Sequence, residues 1–278
     1  GREGDSGESR HGGREGDSGE SRHGGREGDS GESRHVVQRP ESVTITPFRR
    51  WVSGRQMRAD FTRARDYALD RLANELSPHL TYHSLHHTRD DVLPACLRLA
   101  AASGVTDEDT LCLATAAAYH DTGFLYSYTE HEAHGIALAR AVLPGFGYHA
   151  TQIDTIALLI AATKMPQRPT TPLAELLCDA DLDVLGRDDF WDMNRKLLAE
   201  TGRYGKNGAV AEANWLDEQA RFLQSHVYFS AAARRLRNDG KARNVTRMRR
   251  AIAAASTDWR TAMKACGGAA FSKHLPIE

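Results

Sequence analysis

The sequence contains no apolar run close to the roughly twenty residues that a membrane-spanning helix needs, and no charged-then-apolar signal peptide opens it. Its formal net charge is -1, so no overall electrostatic field favours nucleic acid or a membrane surface as the partner. The four cysteines show no Cys-x-x-Cys spacing, and such scattered cysteines are typical of reduced, buried thiols in an intracellular protein. These absences predict a cytoplasmic protein without a membrane partner.

The first 35 residues also lack any aliphatic or aromatic side chain, because they repeat the twelve-residue unit GREGDSGESRHG. Nothing in this segment can be buried to offset the entropy of ordering, so it is predicted to be a disordered low-complexity tail. A metal-capturing role for its regularly spaced histidines is the alternative. Residues 36–56 are predicted to be a linker. Because Met57 directly precedes the first helical pattern, we hypothesise that residues 1–56 are an upstream extension outside the working fold.

Beyond Met57 the apolar residues recur at the three- and four-residue steps of amphipathic helices. A first helix is predicted over 61–76, a second stops before Gly104, and a third begins at Thr106 and ends on His120 and Asp121. Further helices are predicted over 131–142, 151–163, 171–185, 188–200, 210–229 and 243–266. The expected fold class is all-α: a helical bundle over residues 57–226, followed by a basic helical extension over residues 227–278.

Two short motifs bring histidines together with acidic residues. In YHSLHHT (82–88), His83 and His87 are four residues apart, so on a helix they would share a face and address one cleft, whereas His86 would point elsewhere. In AAYHDTGF (117–124), His120 and Asp121 close an apolar helix, where a buried ion pair or a metal would satisfy the carboxylate. A capping aspartate beside a packed histidine is the alternative for this second motif.

The third motif, CDADLDVLG (178–186), carries three aspartates within five positions of an apolar segment. Asp179 and Asp183 would repel each other across one helical turn unless a cation or a basic side chain lies nearby. The remaining aspartate, Asp181, completes a set of two histidines and two carboxylates with His87, His120 and Asp121. Such a set can hold a divalent metal while leaving coordination positions open for water and substrate.

In this order the motifs resemble the HD superfamily of metal-dependent phosphohydrolases, over most of residues 57–226. YHSLHHT is similar to the YHxxxH signature of the related cyclic-nucleotide phosphodiesterases. The stretch LIAATKMPQRP…LAELLCDADLDVLGRDDF resembles a bacterial branch of predicted HD-type phosphohydrolases. Any single motif is weak evidence, but four in order at these spacings are specific. The resemblance implies an HD-domain helical bundle.

By position, the resemblance also implies roles for individual residues. The metal ligands would be His87, His120, Asp121 and Asp181, with Asp121 bridging the two metals of binuclear members. His83 would be the proton donor. His131 would supply an extra ligand to a second metal; a surface histidine at a helix start is the alternative.

Lys164 is a further catalytic candidate, because with Gln167 and Arg168 close behind it could meet a phosphate. Capping of the preceding helix is the alternative. The cyclic-di-GMP branch carries two more histidines where this chain has Ala162, Thr163 and Lys164, so neither a trinuclear site nor that substrate is expected. The basic run over 234–250 is predicted to be a solvated helix face; guidance of an anionic substrate is the alternative, with Arg237 and Lys241 as its first candidates.

The sequence thus predicts an HD-type phosphohydrolase that cleaves a phosphomonoester or phosphodiester of a nucleotide or related small molecule by metal-activated water. The cofactor would be one or two divalent cations, drawn from Mn, Fe, Co, Ni, Zn or Mg. The expected partner is this small phosphorylated substrate, and nucleic acid is not favoured. Two alternatives stay open: a di-iron oxygenase, whose additional ligands only His131 and His134 could supply, and a non-catalytic nucleotide or metal sensor.

Overall fold

The regular structure is entirely helical in the computed structural model, which describes residues 58–204 and 212–254, and the predicted all-α class is confirmed. The predicted tail, linker and upstream extension lie outside these described residues. Within them nine α-helices follow one another: α1 (Phe61–Glu75), α2 (Leu93–Ser103), α3 (Asp107–Tyr119), α4 (His131–Val142), α5 (Ala150–Ala162), α6 (Pro172–Asp181), α7 (Phe190–Tyr204), α8 (Glu212–Ser225) and α9 (Ala231–Ala254).

Shorter helical segments connect some of these helices. A π-helical segment, His87–Val92, leads directly into α2, and 3-10 turns occupy Thr122–Leu125, Leu143–Phe146 and Asp183–Gly186. Across the described ranges, none of the helices is long and apolar enough to traverse a lipid bilayer.

Local sequence signals explain several helix ends. The side chains of Asp60, Thr106 and Thr171 accept hydrogen bonds from the third residue of α1, α3 and α6, each at 3.1 Å. These caps satisfy backbone N–H groups that have no partner within their own helix. At the other end of α2, Gly104 takes the left-handed conformation (φ 64°) that suits glycine.

Helix α3 lies at the centre of the bundle, where it contacts α1, α2, α5 and α6. Its residues Ala116, Ala117 and Ala118 are fully buried. Small side chains let neighbouring helices approach closely, because the distance between helix axes depends on the residues at the contact. The segment that follows α3, beginning with His120, therefore lies in the interior of the protein.

Three helix predictions differ from the structure. The helix predicted over 171–185 is interrupted, because α6 ends at Asp181 and the 3-10 turn Asp183–Gly186 follows. The helix predicted over 210–229 ends at Ser225. Helix α9 begins at Ala231 rather than near residue 243, and it runs without a break through Gly240.

The close packing of α9 on the 3-10 turn explains why a glycine lies inside this helix. A Cβ atom added at Gly240 would lie 1.9 Å from the carbonyl oxygen of Gly186, and one added at Gly186 would lie 2.5 Å from the carbonyl oxygen of Arg237. Both positions require glycine for close approach of the two backbones. Helix α9 also contacts α2, α6 and α8, so the described part of the basic segment is built into the bundle.

Gly240→Ala is expected to lower the free energy of unfolding by about 1–3 kcal/mol, because the added methyl group fits only if α9 moves away from the turn. Gly202→Ala in α7 is the matched control, since nothing lies within 4 Å of a Cβ there. An alanine in place of an unhindered helical glycine should stabilise by up to about 1 kcal/mol. Urea denaturation of both variants measures the difference, and equal midpoints would contradict the packing argument.

Candidate metal centre

Three of the four predicted metal ligands converge in the folded chain. His87 is the first residue of the π-helical segment, His120 directly follows α3, and Asp181 is the last residue of α6. One ligand atom of each lies within 4.8 Å of the others, and this group could hold a metal ion. Both histidines are 1% exposed. The site is therefore built from three separate elements that end at one point in the interior.

The orientation of His120 is fixed by a backbone hydrogen bond. Its Nδ1 lies 2.8 Å from the carbonyl oxygen of Ala117, and because a carbonyl only accepts, Nδ1 must carry a proton. The other ring nitrogen, Nε2, then directs its lone pair towards Asp121 Oδ2 at 3.3 Å and Asp181 Oδ1 at 3.6 Å. A lone pair facing two carboxylates is repulsive unless a proton or a metal cation lies between them.

Asp121, the fourth predicted ligand, lies against both histidines. Its Oδ2 is 3.7 Å from His87 Nε2 and 3.3 Å from His120 Nε2. Both Asp121 Oδ2 and His120 Nε2 are buried without a hydrogen-bond partner in the part of the chain that the structure describes. Buried polar atoms normally have a partner. Two unpartnered atoms at the same point, in a set of imidazoles and carboxylates, fit a divalent metal.

The pKa values of these side chains are shifted by the same close contacts. Burial opposes charge on His120, but Asp121 and Asp181 outweigh burial and raise the pKa of the imidazole well above its usual value. Burial acts to raise the pKa values of the two carboxyls, but His120 and His87 outweigh it and lower both. Both shifts favour positive charge at the point where these groups meet.

His131 lies on the other side of Asp121. Its Nε2 is 3.9 Å from Asp121 Oδ1 and 3.5 Å from Glu132 Oε1, and its ring stacks on Phe124 with centroids 3.9 Å apart. His131 can lie this close to Asp121 because residue 123 is glycine: a Cβ at Gly123 would lie 1.7 Å from the carbonyl oxygen of His131. The two oxygens of Asp121 thus face His131 on one side and the three-residue group on the other.

His83 lies outside the helical segment that carries His87, so the expected shared helix face is wrong. Its ring is nevertheless close to that of His87, with centroids 6.0 Å apart. Glu200 of α7 stabilises the backbone conformation at His83, because its Oε2 accepts hydrogen bonds from the backbone N–H groups of Tyr82 (2.8 Å) and His83 (3.0 Å). The ring of His83 therefore enters the site from a turn.

Glu200 also pairs with Nδ1 of His83 and is completely buried. Burial lowers the pKa of His83, but the hydrogen bond that its Nδ1 donates to Glu200, with the charges of Asp121 and Asp181, raises it above the usual value overall. Sequence reasoning did not identify Glu200, because nothing distinguishes one glutamate in an amphipathic helix that lies more than a hundred residues along the chain from its partner.

Lys164 is exposed, and its Nζ forms an ion pair with Glu130. Its neighbour Gln167 contacts the cluster instead: Nε2 of Gln167 donates to Asp181 Oδ2 at 3.0 Å. His134, which the oxygenase alternative requires, is exposed beside Tyr126. Of Lys164, Gln167 and His134, Gln167 is the one that touches a candidate ligand.

The three aspartates of the third motif have different surroundings. Asp179 is fully buried and accepts hydrogen bonds from the backbone N–H groups of Phe229 (2.8 Å) and Ser230 (2.7 Å), at the start of α9. Asp183 accepts two hydrogen bonds from Arg237, which supplies the basic side chain that the motif was expected to need. Asp181 alone of the three is directed at the histidines.

No protein-family model, no curated protein and no solved structure matches this chain.

Gln167→Ala is expected to weaken binding of Mn²⁺ or Zn²⁺ by about tenfold or more, because a metal-bound carboxylate loses the hydrogen bond that orients it. Competition with a chelating dye measures the affinity. The matched control is Gln224→Ala, since Gln224 lies on α8, is exposed and contacts Arg249. Equal affinities for the wild type and Gln167→Ala would show that Gln167 has no part in positioning Asp181.

Proposed function

We propose that this chain is an HD-type metal-dependent phosphohydrolase that cleaves a phosphate ester of a nucleotide or related small molecule. The observation that carries the proposal is the buried, unpartnered Nε2 of His120, which faces two carboxylates beside a second buried histidine in the described part of the chain. This arrangement favours a resident cation, and His83 lies at its edge as a separate proton-transfer group.

The ligands that we propose are His87, His120, Asp121 and Asp181, with His131 added if a second ion binds. Asp121 suits a bridging role because its Oδ2 faces His87 and His120 and its Oδ1 faces His131. A bound divalent cation would supply Lewis acidity, lowering the pKa of a water and neutralising charge on phosphate oxygens. The mixture of imidazole and carboxylate ligands is compatible with Mn, Fe, Co, Ni or Zn, and Mg is a candidate at the second position.

Residues of the chain itself have further proposed roles in substrate binding and proton transfer. Asp121 and Asp181 would repel a phosphate from an empty site, so substrate binding should require the cation. His83 is held by Glu200 through Nδ1, which leaves Nε2 free to donate a proton to the departing alkoxide. Burial lowers the pKa of His83, but the hydrogen bond to Glu200 outweighs burial, and the raised pKa favours the proton-donating form. Lys164 stays a candidate for an anionic group of the substrate, which would have to compete with Glu130 for it.

Asp121→Ala is expected to lower the rate of ester hydrolysis at least a hundredfold, because it removes a carboxylate from the centre of the metal group. The assay is product release from nucleoside monophosphates and cyclic nucleotides, with each candidate metal added in turn. Asp188→Ala, at a side chain that is 95% exposed, is the control. An equal rate for Asp121→Ala, or no hydrolysis of any ester by the wild type, would refute the proposal.

His83→Gln should slow hydrolysis of alkyl phosphate esters by about a hundredfold or more, the usual contribution of a general acid. It should affect p-nitrophenyl phosphate much less, because p-nitrophenolate leaves without a proton. A purely structural role for His83 would slow both substrates equally. His86→Gln is the matched control, since this neighbouring histidine side chain is 52% exposed and pairs with Asp90.

A further inference from the structure

Glu132, the second residue of α4, is a buried carboxylate to which the proposed function gives no role. The residue is 7% exposed. In the described part of the chain, the basic group in contact with its carboxylate is the imidazole of His131, whose Nε2 lies 3.5 Å from Oε1. Burying a carboxylate is costly unless it is paired or coordinates a metal. Glu132 therefore favours a positive charge at this point.

His131 directs the same nitrogen at a second carboxylate. Its Nε2 lies 3.9 Å from Oδ1 of Asp121, and the ring is held in this position by stacking on Phe124 at an interplanar angle of 16°. Two ligand atoms about 2.1 Å from one ion lie about 3–3.5 Å apart. The three side chains around His131 Nε2 therefore need only a small movement to share a cation, and one imidazole with two carboxylates suits a divalent metal.

This second position is less compact than the first. In the described part of the chain, the ligand atoms of one group, which we call the compact group, all lie within 4.8 Å of one another: those of His87, His120 and Asp181. The atoms of Asp121, His131 and Glu132 do not meet this distance as a set, so an ion must draw them together. A second ion should therefore bind more weakly than the first. Because its ligands are mainly carboxylates, Mn²⁺ suits it.

The charge of Glu132 decides how many ions a phosphate needs. With Asp121 and Asp181 it makes three carboxylates around the two positions, while Glu200 is already paired with His83. One divalent ion leaves the three carboxylates with a net negative charge, which repels a phosphate. A second divalent ion reverses the sign, and the site then attracts the anion.

We propose that Glu132 binds a second divalent cation together with Asp121 and His131, and that a phosphate ester binds only after this second ion. The inference rests on the proposed function, because it assumes a first ion at the compact group. It adds a ligand, a number of ions and an order of binding: first ion, second ion, substrate. Asp121 bridges the two ions, which places them about 3.5–4 Å apart.

Electron paramagnetic resonance of the full chain titrated with Mn²⁺ tests the second ion, because two Mn²⁺ ions bridged by one carboxylate give a spin-coupled signal and isolated ions do not. The wild type is expected to show an uncoupled signal first and the coupled signal as Mn²⁺ increases. Histidines elsewhere in the chain can add to the total metal bound, so the coupled signal is the decisive readout. Ester hydrolysis without any coupled signal would overturn this inference and leave the proposed function standing, whereas no hydrolysis with any metal would overturn both.

Glu132→Gln keeps the shape of the side chain and removes its charge, so the second ion should bind about tenfold or more weakly and the coupled signal should need more Mn²⁺. The first ion should bind as it does in the wild type. Glu218→Gln, at an exposed glutamate of α8, is the matched control. If Glu132→Gln fails to fold, Glu132→Asp decides the question, because it keeps the charge but shortens the reach to the ion. A coupled signal at the wild-type Mn²⁺ concentration in the folded variant would overturn the assignment of Glu132.

Calorimetric titration of the wild type with inorganic phosphate tests the order of binding. At a Mn²⁺ concentration that gives the uncoupled signal alone, millimolar phosphate should not bind. Phosphate should bind once the coupled signal has reached its maximum, because the site then carries a net positive charge. Phosphate binding that accompanies the uncoupled signal would overturn the requirement for the second ion.

Discussion

The orientation of His120 Nε2 is the constraint on which the candidate site depends. This nitrogen is directed at Asp121 and Asp181 because the other ring nitrogen donates to the carbonyl oxygen of Ala117, one turn earlier in the same helix. That helix, α3, contacts five other helices and contains fully buried alanines. Turning the ring away from the carboxylates would break the hydrogen bond to Ala117, whereas a bound cation would relieve the repulsion without such a movement.

Residues from distant parts of the chain position the side chains at the edge of the candidate site. Gln167, in the connection between α5 and α6, donates to Asp181, and Glu200 of α7 holds both the backbone and the ring of His83. The neighbouring aspartates serve the fold: Asp179 accepts the backbone N–H groups at the start of α9, and Asp183 binds Arg237 of that helix. Burial raises the pKa of Asp179, although its hydrogen bonds to Ser230 and Phe229 partly offset this effect.

Much of the fold and three of the candidate ligands could be predicted because they lie in short local sequence patterns. Helical periodicity and the caps at Thr106 and Gly104 located α2 and α3, and the unusual His-Asp pair at the end of an apolar helix indicated the site. Contacts between distant segments could not be predicted. Nothing in the sequence relates Glu200 to Tyr82 and His83, which become its partners only in the folded chain. A glycine at position 240 would usually indicate a helix end, but here it lies inside α9 because Gly186 packs against it.

The central claim is that His87, His120 and Asp181 surround one cation. Anomalous diffraction from crystals grown with Mn²⁺ or Zn²⁺ tests it most directly, because the peak locates the ion without reference to activity. The account predicts a peak about 2.0–2.2 Å from His87 Nε2, His120 Nε2 and an oxygen of Asp181. Strong peaks elsewhere, with these three side chains bound to no ion, would contradict it.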